Sequence, residues 1–551
     1  MRSQLKRLEQ NPAFVVRGDA SGPVHTRQWF EIPGRDDGNP EAWCYTDRLS
    51  YQAGERITLF AISTESKLLI RLRSERTQRQ DILEVKPVAT RWADTGPLAS
   101  VNGCSWPAVA QIPVEKEWPS GVYTISLYSV DSDKQYPLAT HLFVVRPSSR
   151  PDSDRFLLIT ADSTWNAYND WGGSNHYEGT IKPDSNLFSP RLSNQRPFAR
   201  GMIDLPADAP RTLPRHSPEQ RFEVRYDHME WAWVEGYSKK YASAGWAMYE
   251  RPFAHWAESA GYRFDIATHH DLHFRPEITT GYSCVVMVGH DEYWTWDMRD
   301  AIDHYVEHGG RVARFAGNFF WQTRLQDEGR TQICHKYSAL EEDPYRDEKD
   351  RQLITTCWEA DEVGRPGHAS FGLDGSRGVY AGWGGLAPNG PAGFIVYRPE
   401  HWALENSGLG YGDLLGSSGR VFGYEVDGLD YVMRDGLPYP VPKPALPKDL
   451  AILAYSPARL REDGFGTDPD GLFVGDEDAR FIARLRYRSE DEDALRRVNH
   501  GSGMVVSFTR GEGEVFHAGT TEWVAGLIRK DPAVEKVTHN VLCRFLNRSK
   551  D

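Results

Sequence analysis

From about residue 40 to 148, short alternating segments such as ERITLFAIST, KLLIRLRS, GVYTISLYSV and HLFVVRP are separated by clusters of Gly, Pro, Ser and Asp. Regular short strands with turns between them predict an antiparallel β-sandwich, Ig-like in character. PSSRPDSD at 147–154 is polar and proline-containing, which suits a linker. After it the pattern changes. RFLLIT and CVVMVG are compact apolar strands, and AMYERPFAHWAESAG has apolar residues at helical spacing up to Gly261. TWDMRDAIDHYVEHGG reads as an amphipathic helix closed by Gly309 and Gly310, followed by the strand RVARFAG. Strands alternating with helices predict an α/β domain with a mostly parallel sheet.

At 551 residues the chain exceeds what one hydrophobic core serves. The expected division is an N-terminal arm at 1–38, a β-sandwich at 39–148 and an α/β catalytic domain at 149–551. Within the last, 322–445 is an irregular elaboration with short strands such as GFIVYRP and RVFGYEVD. MVVSFTRG, GEVFHAG and the helical KVTHNVLCRFLNR then complete and cover the same sheet.

Charge narrows the function classes. With 64 basic against 78 acidic side chains the net charge is -14, which repels a polyphosphate chain and excludes nucleic acid as a partner. The N-terminus lacks the apolar run of a secretory signal, and nothing approaches a membrane span of about 20 apolar residues. A cytoplasmic protein is expected. The six cysteines lack CxxC spacing, so neither a zinc cluster nor a disulfide framework is indicated.

Sites on parallel sheets form beyond the carboxyl ends of the strands. Three such places are polar here. STWNAYNDWGGSNHYEG after RFLLIT contains Tyr168 and Tyr177; an aromatic loop packed on the sheet is an equal reading. GHDEYW brings His290, Asp291 and Glu292 to a strand end, where ionisable groups must pair, bind a cation or move protons. In extended chain His290 and Glu292 share one side and Asp291 faces the other. A surface salt-bridge cluster is the competing reading. AGNFFW offers Asn318 after a glycine turn, and GYEVDG offers Glu425 and Asp427 on alternate positions of a strand, with Glu425 suited to general-base work.

WNAYNDWGG, GHDEYW, GGRVARFAGNFFW, GYEVDG and AGTTEW, in this order, resemble the core of the N,N-dimethylformamidase large (beta) subunit family. The resemblance runs from about residue 40 to the C-terminus and implies a sheet domain like that of class I glutamine amidotransferases without the catalytic cysteine. It also implies a mononuclear non-haem iron held by two Tyr phenolates and one Glu. Carried over residue by residue, Tyr168 is one phenolate and Glu292 the carboxylate, with His290, Asn318 and Glu425 the catalytic groups around them. The family's second phenolate belongs to an RPY-like motif, but LSNQRPFARG carries Phe198 there. Tyr177 and Tyr226 are the candidates in its place, and Tyr177 is taken as the third ligand.

The implied activity is hydrolysis of a small N-substituted amide to a carboxylate and an amine, in a homo- or hetero-oligomer with a small companion subunit. Two other readings stand beside it. One is a non-catalytic binding or scaffold subunit; the other is an enzyme acting on a sugar-like metabolite.

Overall fold

Leu68, Ile70 and Leu72 are fully buried while the residues between them are half exposed. That period of two marks a strand with one face on a core. The computed structural model describes residues 14–17, 22, 24–35, 39–130, 136–148, 151, 154–179, 189–212, 226–347, 349–378, 393–459 and 477–547. The remaining positions of the arm at 1–38, of the linker and of the 322–445 elaboration lie outside the described residues.

After an antiparallel pair of strands at Phe14–Arg17 and Gln28–Glu31, the strands of the sandwich region are β1 (Ala42–Thr46), β2 (Ser50–Tyr51), β3 (Arg56–Ser63), β4 (Lys67–Ser74), β5 (Gln80–Ala89), β6 (Ala108–Pro113), β7 (Gly121–Ser129) and β8 (Ala139–Val145). They form a three-stranded sheet, β1-β3-β6, and a five-stranded sheet, β2-β8-β7-β4-β5. Leu59, Ile70, Ile112, Ile125 and Phe143, drawn from both sheets, share one core. The expected antiparallel Ig-like sandwich needs correction, because β2 pairs with β8 in parallel, Val144 opposite Ser50 and Val145 opposite Tyr51. A strand of two residues is too short to leave an alternating pattern in the sequence.

The largest sheet has nine strands: β9 (Arg155–Thr160), β10 (Arg263–Thr268), β11 (Cys284–His290), β12 (Arg311–Gly317), β13 (Phe394–Val396), β14 (Leu414–Leu415), β15 (Ala451–Arg459), β16 (His500–Arg510) and β17 (Gly513–His517). Their order is β10-β9-β11-β12-β17-β16-β15-β13-β14. Neighbours from β10 to β17 run parallel, and neighbours from β17 to β14 run antiparallel. The sheet is therefore mixed, which overturns the mostly parallel, amidotransferase-like expectation. The physical reason was present in the chain. Only Gly511 and Glu512 join β16 to β17, with Gly511 at φ +56°, and a two-residue connection permits a hairpin but no parallel crossover.

Every residue of β11 is buried. Cys284, Val286 and Val288 enter the core on one face of the sheet, and Val285 and Met287 enter the core on the other. A strand covered on both faces reads as a continuous apolar run, and each buried Val or Met contributes about 1.5–3 kcal/mol. The cover comes from helices that include α1 (Asp162–Tyr168), α2 (Glu250–Ser259), α3 (His269–Phe274), α4 (Trp296–Glu307), α5 (Trp523–Ile528) and α6 (Pro532–Phe545). In α4 the Thr295 hydroxyl accepts the Met298 N–H at 3.2 Å, which starts the helix by satisfying an orphan donor. Met298, Ala301, Ile302 and Tyr305 then form its buried face. No helix among the described residues is long and apolar enough to cross a membrane. The carboxyl ends of β9, β11 and β12 lie side by side, and the chain leaving them carries Tyr168, Glu292 and Asn318.

Candidate functional site

Two glycines let β11 and β12 end where they do. A Cβ on Gly289 would fall 2.3 Å from Cβ of Tyr249, and one on Gly317 would fall 2.6 Å from the backbone of Thr520 and Thr521. His290 and Asn318 follow directly. Asn318 has φ +60° and Tyr424 has φ +57°, a conformation that costs an ordinary L-residue about 1–2 kcal/mol and that asparagine tolerates best. Such strain persists where surrounding packing imposes it, and here both positions face one cluster.

α1, rather than the expected loop, follows β9 and sets Tyr168 in its last turn. Its Thr164 hydroxyl accepts the N–H groups of Glu292 and Tyr293 at 3.0 and 3.2 Å, which ties α1 to the loop after β11. Beyond α1 the fully buried Arg196 donates to the carbonyls of Asn169 at 2.8 Å, Trp171 at 2.6 Å and Ser193 at 2.7 Å. Asn175 then accepts the N–H groups of Tyr177 and Glu178 at 2.8 and 2.7 Å, turning Tyr177 back toward Glu292.

The Tyr168 hydroxyl lies 3.0 Å from Glu292 Oε2 and 2.8 Å from the Tyr177 hydroxyl, and the Tyr177 hydroxyl lies 2.8 Å from the same Oε2. The Tyr293 hydroxyl donates to that of Tyr177 at 2.9 Å. On the other side of Glu292, His290 Nε2 is 3.2 Å from Glu292 Oε2 and 2.9 Å from Glu425 Oε2. His290 Nδ1 donates to the Ser243 carbonyl at 2.7 Å. The Asn318 amide lies 3.1 Å from His290 Nε2 and bonds the Glu425 carboxylate. Asn318 Oδ1 is a buried acceptor with no hydrogen-bond partner among the described residues. The Tyr424 ring meets the His290 ring edge-on, with centroids 5.1 Å apart.

Burial and the Glu292 charge push the Tyr168 and Tyr177 phenols well above their ordinary range. Burial raises Glu425 to about 7; the nearby His290 opposes the shift and Glu292 adds to it. Burial disfavours the charged form of His290, but Glu425 and Glu292 outweigh it and raise the imidazole to about 10. The Lys336 ammonium sits 3.5 Å from the centre of the Tyr177 ring, where a cation favours negative charge on the phenol.

His290, Glu292, Asn318, Glu425, Tyr168 and Tyr177 thus meet in one place, and Asp291 faces away as strand alternation requires. Glu425 does not lie on a strand: 421–428 is irregular, held by isolated bridges of Val426 with Thr520 and of Gly428 with Asp374, and the Glu425 carbonyl accepts the Thr521 N–H at 3.1 Å. Phe198 is elsewhere, stacked on His141 with ring centroids 5.2 Å apart. Tyr226 packs its ring 5.2 Å from that of His25. Thr164, Arg196, Ser243, Tyr293 and Lys336 escaped the sequence reading. Thr164, Arg196 and Tyr293 lie in the segments STWNAYN, RPF and GHDEYW, whereas Ser243 and Lys336 lie in none of the segments singled out for chemistry.

Fold and cluster together define an α/β protein with a buried phenol, carboxylate and imidazole centre at the ends of its parallel strands. A family model described as "N,N-dimethylformamidase beta subunit-like, C-terminal" matches residues 74–536, and the chain belongs to that family. Its relatives include the N,N-dimethylformamidase beta subunit of Alcaligenes sp, 29% identical over 202 residues, which are 32% of this chain and 24% of that one. Another is the N,N-dimethylformamidase beta subunit of Paracoccus aminophilus, 29% identical over 199 residues, again 32% of this chain and 24% of the relative. The matched segment therefore spans about a quarter of the length of these curated relatives.

The spacing of the donor atoms bears on whether they fit a cation. A small hard cation with oxygen ligands at about 2.0–2.1 Å places neighbouring octahedral ligands about 2.9 Å apart. The oxygens of Tyr168, Tyr177 and Glu292 are separated by 2.8–3.0 Å, a spacing compatible with such a cation and also that of the O–H···O hydrogen bonds they make to one another. His290, Glu292 and Glu425 also present ligand atoms within 4.8 Å of one another. In that second group His290 Nε2 stands 3.2 and 2.9 Å from the two carboxylates, within the same band of distances, and it is the pairing of an imidazole with a carboxylate that suits it to proton exchange.

Proposed function

We propose that this chain is a metal-dependent amidohydrolase acting on small N-substituted amides, with N,N-dimethylformamide the first substrate to test. The observation that carries the reading is the convergence of three hard oxygens on one side of Glu292 and a paired imidazole and carboxylate on the other. Tyr168, Tyr177 and Glu292 would hold an iron ion, since phenolate and carboxylate oxygens suit a hard cation. Iron, when bound, supplies Lewis acidity toward the amide carbonyl.

The chain's own groups handle the protons. Glu425, 13% exposed at its side chain and with a pKa raised to about 7, takes a proton from the attacking water. His290, fixed through Nδ1 by Ser243, sits 2.9 Å from Glu425 and passes a proton to the leaving nitrogen. The C–N bond breaks, water oxygen joins the acyl carbon, and carboxylate and amine leave. Asn318 fixes Glu425 and offers Oδ1 to the incoming water. The rings of Trp321, Tyr337 and Phe481 gather with centroids 5.1–5.5 Å apart, beside the Lys336 that covers Tyr177. They form an apolar wall for the N-alkyl groups.

The relatives' designation as beta subunits supports a companion chain in the active assembly. The test is iron-loaded protein, alone and with a co-expressed companion, on a panel of formamides and acetamides. Formate and dimethylamine released in equal amounts support the reading. Turnover of sugars but of no amide would favour the metabolite enzyme, and no turnover despite bound iron would favour the scaffold subunit.

A further inference from the structure

α4 also carries ligand chemistry on the side it turns to solvent. Met298, Ala301, Ile302 and Tyr305 bury one face of this helix, while residues 304 and 308, four apart and so one turn from each other, are exposed histidines. Their ring centres stand 4.0 Å apart. His308 Nδ1 donates to the His304 carbonyl at 2.8 Å. That bond fixes the ring and its tautomer and leaves the Nε2 lone pair free to bind. Among the described residues, neither this Nε2 nor either ring nitrogen of His304 has a hydrogen-bond or ion-pair partner.

Two histidines four apart on one helix face are the arrangement by which a helix holds a divalent cation. Zinc takes imidazole nitrogens at about 2.0–2.1 Å in a tetrahedron, so two nitrogens on one ion stand about 3.3 Å apart. Rings with centres 4.0 Å apart are close enough to present one nitrogen each at that separation. The field at this place favours a cation. α4 ends at Glu307, where its last carbonyls leave partial negative charge. The exposed Glu512, in the turn between β16 and β17, is held at the same end by its N–H, which donates to the Glu307 carbonyl at 3.1 Å. Among the described residues the one group of three His, Cys or carboxylate ligands within 4.8 Å is that of His290, so water completes the coordination of an ion at His304 and His308.

We propose that His304 and His308 form a surface chelate for a borderline divalent cation: copper, nickel or zinc. Imidazole suits these ions, whereas phenolate and carboxylate oxygens suit harder ones. The pair shares no residue with the buried cluster, so the proposal stands whether or not the chain hydrolyses amides. An ion held there is open to solvent and is removed by chelators.

The test is calorimetric titration of untagged, chelator-treated protein with zinc chloride, comparing the wild type with H304A, H308A and the size-conserving H304Q and H308Q. Zinc bound by all five proteins belongs to other sites. One further equivalent is expected in the wild type, weakened by at least about 10-fold in every variant, since loss of even an outer partner costs that much at metal sites. Both side chains are exposed, so the variants are expected to keep the wild-type melting temperature and its content of any buried metal. Superimposable zinc isotherms for all five proteins would overturn the proposal. So would weakening by substitutions at only one of the two positions, which marks a single imidazole, or loss of buried metal in the variants, which shows that the two sites are not separate.

Discussion

The Tyr177 hydroxyl reaches both oxygens of the Glu292 carboxylate, at 2.9 and 2.8 Å. Under the proposed iron reading Tyr177 would supply the third oxygen from the loop after α1, in place of the phenolate that the resemblance puts at the Phe198 position. The variant Y177F is expected to weaken iron binding by at least the ~10–100-fold that loss of even an outer partner costs at metal sites. F198Y is expected to leave iron affinity unchanged, because that ring stacks on His141. Iron titrations of the two variants check both outcomes.

A second prediction concerns pH. Glu250 is fully buried; it accepts the Ala161 N–H at 3.1 Å and the Trp165 indole N–H at 3.0 Å, and burial raises its carboxyl to about 8. A carboxyl raised on folding is protonated in the native state while the unfolded chain has already released its proton. Between about pH 4.5 and 8 this group lowers stability as pH rises, by on the order of 1 kcal/mol per unit. E250Q keeps an acceptor for both donors and carries no titrating proton. Melting curves from pH 5 to 8 are expected to show a smaller decline for E250Q than for the wild type.

The close approach at Gly317 gives a third. A methyl group there would meet the backbone of Thr520 and Thr521 at 2.6 Å, and backbone cannot swing aside as a side-chain tip can. G317A is expected to cost about 1–3 kcal/mol, the range for overpacking a filled interior. Denaturant unfolding measures it, with the midpoint lowered and the slope unchanged.

The legible parts of the sequence were those in which one segment carries its own pattern. β9 and β11 show as apolar runs because both faces of the sheet are covered, the amphipathic α4 shows its pattern and its closing glycines, and β12 is marked as the strand that follows that helix. His290 and Glu292 could be assigned to one side from strand alternation alone. Sheet polarity was harder, since it depends on how distant segments pair: β2 is too short to show a pattern, and the Gly511–Glu512 turn was the one local sign that β16 and β17 are antiparallel. The alternation in RVFGYEVD predicts a strand for Glu425, whereas Tyr424 at φ +57° breaks the extended run. Lys336 reaches the site from a segment with no chemical motif, and only tertiary contacts reveal it; Arg196 stands in the RPF segment, but its bonds to the backbone after α1 are visible only in the fold.

Elemental analysis of chelator-free purified protein, with a visible absorption scan of the wild type and of E292Q, tests the central claim most directly. The account predicts about one iron per chain in the wild type, with the charge-transfer band of a phenolate bound to ferric iron, and loss of both in E292Q. Wild-type protein that takes up no iron and shows no band, or E292Q that keeps both, would contradict it.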